Sequence, residues 1–321
     1  MARECVAAIV QKHGLSNVVV VAHFRVADYW RGWPGLSVLT LDLSKGRLAG
    51  SAQMIRALKK IGPAGVGYLL TPSFSSAAIF AFAGVEKRVG FAGNIRGALL
   101  SHPVTRPRDH RSRHYSDTLK SLVDSTSRSG NSTPPAFHWP AEARLRVETY
   151  LMNAGLADTR FVVVAMGALG INRNYPLDAW HQAIRQIMRH ISVVLVGTRN
   201  DRGLRSLAGL EISSRLFDWC GMTSVPELAI LLGQAAGFAG SDSGAAHLAA
   251  SMDCPTVVMF GAGDEATTRP LGISVKVLRA PLWCAPCRVR TCHRTDRPLE
   301  CLHLIRADEV ASSLLAASGR E

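Results

Sequence analysis

The sequence predicts an α/β protein made of two parallel-sheet domains, and three observations predict it. Short apolar, β-branched runs alternate with stretches of helical spacing along the chain. Residues 125–140 (STSRSGNSTPPAFHWP), rich in Ser, Pro, Asn and Gly, break that rhythm, and it starts again after them. Residues 237–261 form a complete strand–loop–helix–strand pattern, the unit from which parallel sheets are built. A length of 321 residues also favours two domains over one.

The elements follow in order. Residues 4–12 have amphipathic helical spacing, with Gly14 as a stop. Residues 18–22, 38–42, 66–70 and 88–91 read as strands. Between them, 50–60 and 75–83 read as helices, and 29–35 (YWRGWPG) as a loop or a short helix. Gly62-Pro63 ends the first of these helices. Beyond the linker, 142–153, 178–189, 201–208 and 225–232 read as helices, and 161–165 and 193–197 as strands. Residues 308–317 make a terminal helix with Asp308 near its start, where a negative charge suits the dipole. The domains are thus 1–130 and 141–321, joined by 131–140.

Within 237–261, strand 238–240 runs into Ser241-Asp242-Ser243-Gly244, then a helix over 245–252, then strand 256–260. Ligands of parallel sheets bind outside the carboxyl ends of the strands, where Asp242, Ser243 and Gly244 lie. Ser243 stands where it can cap the helix, whose free N–H groups favour an anion. His247 follows Ser243 by four residues and shares its side of the helix. A carboxylate, a hydroxyl, a glycine and an imidazole therefore gather at one mouth. A capped helix with a core histidine is the simpler alternative.

Net charge is +13, with a pI near 9.9, and points to an anionic partner. Between Glu86 and His114 stand Lys87, Arg88, Arg96, Arg106, Arg108, Arg111 and Arg113 against only Glu86 and Asp109. A solvated loop explains such a run as well as a binding face does. No zinc-finger spacing, aromatic RNP-like strand or heptad repeat supports nucleic-acid binding. No apolar run reaches the length of a bilayer span, and the N-terminus lacks the pattern of a secretory signal. Cytoplasmic residence is the expectation, and there cysteines are thiols or metal ligands. Cys284, Cys287, Cys292 and Cys301 give C-x2-C-x4-C-x8-C within 18 residues. That spacing suits a tetrahedral zinc or iron site, or four reduced thiols in a polar loop. Cys5, Cys220 and Cys254 are isolated and read as core.

The segment D-S-G-x-x-H-L-A-A from Asp242, followed by a strand and G-x-x-D from Gly261 to Asp264, resembles the nucleotide-sugar signature of glycosyltransferase family 9, the heptosyltransferases. Residues 167–176 resemble the family's donor-phosphate loop, with Arg173-Asn174-Tyr175-Pro176 in place of Lys-x-Trp-Pro. Residues 221–228 resemble its G-x-T-S-x-x-E-L segment. Residues 70–82 and 84–100 are similar to the acceptor-side segments of heptosyltransferase II-type members. Cysteine-rich segments like 284–301 occur in many members, and some protein-directed relatives hold iron there.

The resemblance implies a GT-B fold: two Rossmann-like domains facing across a cleft, the first taking the acceptor and the second the donor. It implies inverting transfer of heptose from ADP-heptose to lipopolysaccharide inner core or a related glycan, with no metal needed for the chemistry. Arg173, Asp242, Ser243, Gly244 and His247 would hold the donor. Lys87, Arg88 and Arg96 would meet an anionic, phosphorylated glycolipid acceptor, with contact at the inner face of the inner membrane. In the family a first strand and a Gly-Asp loop carry the general base. This chain begins at what resembles the helix after that loop, so the first strand has no counterpart. Asp28 and Asp42 lie in other elements, and no catalytic residue is carried over. An upstream start, a rearranged domain, and a non-catalytic paralogue that binds a nucleotide sugar all fit that beginning.

Overall fold

The computed structural model describes residues 1–44, 46–124 and 134–319. The chain falls into two compact units, Met1–His138 and Trp139–Glu321. Most of the stretch expected as a linker, 125–133, lies outside the described residues. Residues 134–138 are anchored on the first unit. His138 N–H donates to the Gly32 carbonyl at 2.7 Å, and the Phe137 ring packs on Tyr29 with centroids 4.7 Å apart.

The first unit opens with α1 (Arg3–His13), ended by Gly14 at φ 81°, a conformation glycine adopts without strain. It continues through β1 (Val19–His23), α2 (Phe24–Arg31), β2 (Ser37–Leu41) and α3 (Arg47–Ile61). Then come β3 (Val66–Leu69), α4 (Phe74–Phe82), β4 (Lys87–Phe91), β5 (His102–Val104) and α5 (Tyr115–Asp124). The helix expected within 29–35 starts earlier, as α2, because the His23 ring accepts from Arg25 N–H and opens the first turn. β5 and α5 are elements that the spacing of apolar residues does not lead us to expect. What reveals α5 is the burial of Leu119, Leu122 and Val123 along one face.

The five strands described in this unit form two parallel sheets, β1-β2 and β3-β4-β5. β1 and β3 do not pair with each other, and among the described residues each has a strand neighbour on one side only. One core nonetheless runs beneath both sheets. Cys5 to Ile9 of α1 and Leu119 to Val123 of α5 pack with Val20 and Val38 on one side and Tyr68 and Phe91 on the other. α1 ties to this core at both ends: the Cys5 thiol donates to the Leu119 carbonyl at 3.3 Å, and the His13 ring meets the Tyr68 hydroxyl at 3.1 Å.

The second unit is one six-stranded parallel sheet of order β11-β10-β9-β6-β7-β8. Its strands are β6 (Phe161–Ala165), β7 (Ser192–Leu195), β8 (Leu216–Asp218), β9 (Gly237–Ser241), β10 (Thr256–Phe260) and β11 (Val275–Arg279). β6, β9 and β10 are buried at every residue, as strands covered on both faces must be. Val162, Val164, Val193, Leu195, Val257 and Met259 pack against α7 (Leu177–Ile187) and α13 (Ala307–Ala317). Each such side chain contributes roughly 1.5–3 kcal/mol of transfer free energy. α6 (Ala141–Asn153) packs on α9 (Val225–Gln234), and an ion pair between exposed Arg146 and buried Glu227 ties the two helices. The remaining helices are α8 (Leu204–Leu207), α10 (Gly244–Ser251), α11 (Glu265–Thr268) and α12 (Glu300–His303). Among the described residues no helix is long and apolar enough to cross a membrane.

Candidate functional site

The order of the second sheet fixes where a ligand goes. β6 and β9 are neighbours in space but far apart in sequence, so the winding reverses between them. Such a switch point leaves a crevice at the carboxyl ends of its two strands. The loop after β6 carries Arg173, and the loop after β9 carries Asp242, Ser243 and Gly244.

The loop after β6 is pinned around one projecting side chain. Asn174 Oδ1 accepts from Ala168 N–H at 2.7 Å. Tyr175 N–H donates to Ser241 Oγ at 3.2 Å, and its buried hydroxyl donates to the Ile305 carbonyl at 2.7 Å. Asn172, also buried, donates its amide to the Val289 carbonyl. Arg173 alone of these four points outward, half-exposed, with its guanidinium 3.3 Å from Asp242 Oδ2.

Asp242 is 5% exposed. Burial raises its pKa above the ordinary carboxylate value, and Arg173 opposes that rise without cancelling it. Its Oδ2 sits within ion-pair distance of Arg173 but has no aligned hydrogen bond. A Cβ on Gly263 would lie 2.5 Å from that oxygen, so a glycine is needed for the chain to pass so close. Ser243 occupies the N-cap position of α10, but its hydroxyl accepts no capping hydrogen bond, contrary to the expectation. Its backbone is extended, and the buried Oγ has no hydrogen-bond partner among the described residues. His247 follows one turn later, half-buried, its N–H on the Ser243 carbonyl at 3.3 Å. The site therefore presents a guanidinium, an orphaned hydroxyl and the amide end of a helix, with a buried carboxylate between them.

The residues expected to meet an acceptor lie in the first unit and are differently employed. Arg88 donates to the Leu99 carbonyl at 2.7 Å and to the Val85 carbonyl at 2.5 Å. Arg96 is buried and donates to the Thr71 carbonyl at 2.5 Å. Burial, then the nearby Arg106, lowers the pKa of its guanidinium. Both arginines thus brace the backbone between β3 and β5. Lys87, on β4, is half-buried.

The four cysteines of the C-x2-C-x4-C-x8-C stretch are free thiols and line one cavity together with Asn172 and Ala262. Burial, then the neighbouring cysteines, raises the Cys301 pKa. Among the described residues no group of three or more His, Cys, Asp or Glu is arranged to hold a metal ion. No metal ligation is assigned to these thiols. The loop has a mechanical role instead. Arg288 N–H donates to the Ala262 carbonyl at 2.8 Å, its guanidinium pairs with Asp264, and Val289 receives Asn172. It so links the segment after β10 to the turn that bears Arg173. Cys5, Cys220 and Cys254 are buried, and burial pushes the Cys5 and Cys254 thiols up to about 12.

Asn172, Ser241 and the Asp264–Arg288 pair escape sequence reading, because each works through a partner distant in sequence. The G-x-x-D ending at Asp264 is the one local signal among them.

The model of the family described as Glycosyltransferase family 9 (heptosyltransferase) matches residues 53–296. Lipopolysaccharide heptosyltransferase 2 of Salmonella typhimurium is 26% identical over 222 residues, covering 66% of this chain and 64% of that protein. This chain therefore spans less than two thirds of that relative's length in the match. The structure of E. coli ADP-heptose LPS heptosyltransferase II superposes with a TM-score of 0.78 at 18% identity, over 99% of this chain and 94% of that one. A family 9 glycosyltransferase from Veillonella parvula superposes with a TM-score of 0.83 at 13% identity, over 99% and 92%. The two parallel α/β units thus have the GT-B heptosyltransferase fold, and the family match covers well over half of the sequence. The chain belongs to glycosyltransferase family 9, the heptosyltransferases.

Proposed function

We propose that this chain transfers a heptose from ADP-heptose, with inversion, to a hydroxyl of lipopolysaccharide inner core or a related phosphorylated glycan. The observation that carries the reading is the pairing of Arg173 with buried Asp242 beside the amino end of α10. In the reaction the acceptor oxygen bonds to the anomeric carbon, and the bond from that carbon to the diphosphate breaks. ADP leaves with the bonding electrons, and the acceptor proton passes to a general base, for which no residue of this chain is assigned. Negative charge grows on the leaving diphosphate, and fixed positive groups stabilise it there. Arg173 offers two N–H groups to phosphate oxygens. The first N–H groups of α10 and the Ser243 hydroxyl offer more, and His247 stands one turn behind them. Asp242 repels phosphate and instead accepts hydrogen bonds from sugar hydroxyls while orienting Arg173. The acceptor is an anionic glycolipid met by the first unit, with Lys87 and the structurally braced Arg88 and Arg96 among its basic residues, at a membrane surface.

The test is calorimetry with ADP and ADP-heptose, followed by turnover on a truncated core acceptor. Arg173→Ala should weaken ADP binding by about tenfold to a hundredfold, the loss of a charge-assisted pair of hydrogen bonds. Undiminished affinity in that variant would refute the donor site. Tight ADP-heptose binding without any turnover is the behaviour of a non-catalytic nucleotide-sugar binder, and would replace the transferase reading with that one.

A further inference from the structure

α4 breaks the usual rule of helix placement. Its sequence, FSSAAIFAF, has no charge and is apolar nearly all round, the composition of a helix covered on every side. One face is covered: Ala77 is buried against Leu69 and Leu100, and Ile79 is buried as well. The other is open. Phe74, Ala78 and Phe82 fall at i, i+4 and i+8, one line along the helix, with Phe74 54% and Phe82 67% exposed. The turn Asn94–Leu99 packs against α4 and adds Ile95, 81% exposed. α3 also packs on α4 and ends in exposed Lys59, Lys60 and Ile61.

The charge of this face is one-sided. From Leu43 to Val85 the sequence has five Lys or Arg and no Asp or Glu. Among the described residues Arg47, Arg56, Lys59 and Lys60 form no ion pair. Exposed aromatic and aliphatic side chains bordered by unpaired cations match the interface of an anionic bilayer, where rings enter the headgroup boundary and cations meet lipid phosphates. A protein partner would have to set acidic side chains opposite these cations, whereas an anionic bilayer presents phosphates wherever they land.

We infer that the α3–α4 face, with Phe74, Phe82 and Ile95 as the apolar contacts and Arg56, Lys59 and Lys60 as the cations, docks this chain on anionic phospholipid. The inference gives the membrane contact of the proposed function a location, but vesicle binding without glycolipid or nucleotide sugar reads it separately from transfer.

The experiment is co-sedimentation of the full chain with vesicles of phosphatidylcholine alone and of phosphatidylcholine with phosphatidylglycerol. The chain should pellet with the second and not the first, and less so at high salt, which screens exposed charges. Phe74→Ser with Phe82→Ser, and separately Lys59→Gln with Lys60→Gln, should each weaken binding about tenfold or more. ADP affinity and melting temperature, measured on both variants, show that the fold is intact. No binding to anionic vesicles, or binding that neither pair of substitutions changes, overturns the inference. A concentration-dependent dimer that the Phe variants abolish, without vesicle binding, assigns the face to a second copy and also overturns it. Loss of ADP binding in the unmodified chain strikes the donor site alone.

Discussion

Asp242 and Ser243 are neighbours with opposite debts. Asp242 keeps a charge in a place that disfavours it, and Ser243 keeps a hydroxyl with nothing to bond. Both arrangements cost stability in the free protein and are released by a ligand rich in hydroxyl groups and phosphate oxygens. Asp242→Ala should abolish binding of ADP-heptose, and unchanged affinity by calorimetry would remove Asp242 from the site. Asp242→Asn should raise the melting temperature at neutral pH while donor binding falls. The sign follows from the raised pKa. Below the ordinary carboxylate value both folded and unfolded chains are protonated, so the two proteins should melt alike. As pH rises through the raised value, the wild type loses stability and the Asn variant does not. A melting difference that shrinks with rising pH would contradict this. Asp242 and Gly244 are legible in the sequence because the local motif D-S-G names them. The orphaned state of Ser243 is not, because N-cap position and side-chain rotamer are separate properties.

At the scale of the element, α9 shows how a local signature gains a distant role. Ser224 and Glu227 form a capping box: Glu227 N–H donates to Ser224 Oγ at 3.4 Å, and Ser224 N–H donates to Glu227 Oε2 at 2.6 Å. Burial would raise the Glu227 pKa, but the Ser224 hydrogen bonds and Arg146 outweigh it and lower the value. Its contribution is therefore present above the ordinary Glu value and lost as pH falls through the lowered one. Ser224→Ala should destabilise the protein by about 1 kcal/mol in denaturant titration. Glu227→Gln should cost more, since Arg146 on α6 loses its partner as well, and a smaller loss than that of Ser224→Ala would count against the pairing. The S-x-x-E spacing announces the cap from sequence. The ion pair to Arg146, 81 positions away, is announced by nothing local.

At the scale of the whole molecule, the two units bury their strands unequally. β6, β9 and β10 are buried throughout, whereas β1 has one buried residue and β2 none. Amide exchange should therefore be slowest in the sheet of the second unit and faster in β1 and β2. Equal protection of β1 and β6 would show that the split sheets of the first unit are as well held as the continuous one.

The sequence by itself determined the alternation of strand and helix, the two-unit α/β plan and the loop at Asp242. These rest on periodicity, glycine stops and short motifs, which act over a few residues. Only the tertiary structure decided that Arg88 and Arg96 spend their N–H groups on carbonyls of the chain. It also decided that four clustered thiols line one cavity, and that the five strands described in the first unit divide into two sheets. Those outcomes depend on which distant groups arrive beside each other, and no local spacing encodes that. The apolar run of α4 was readable as a helix. That its outer face stays open, beside the cations of α3, is a property of packing alone.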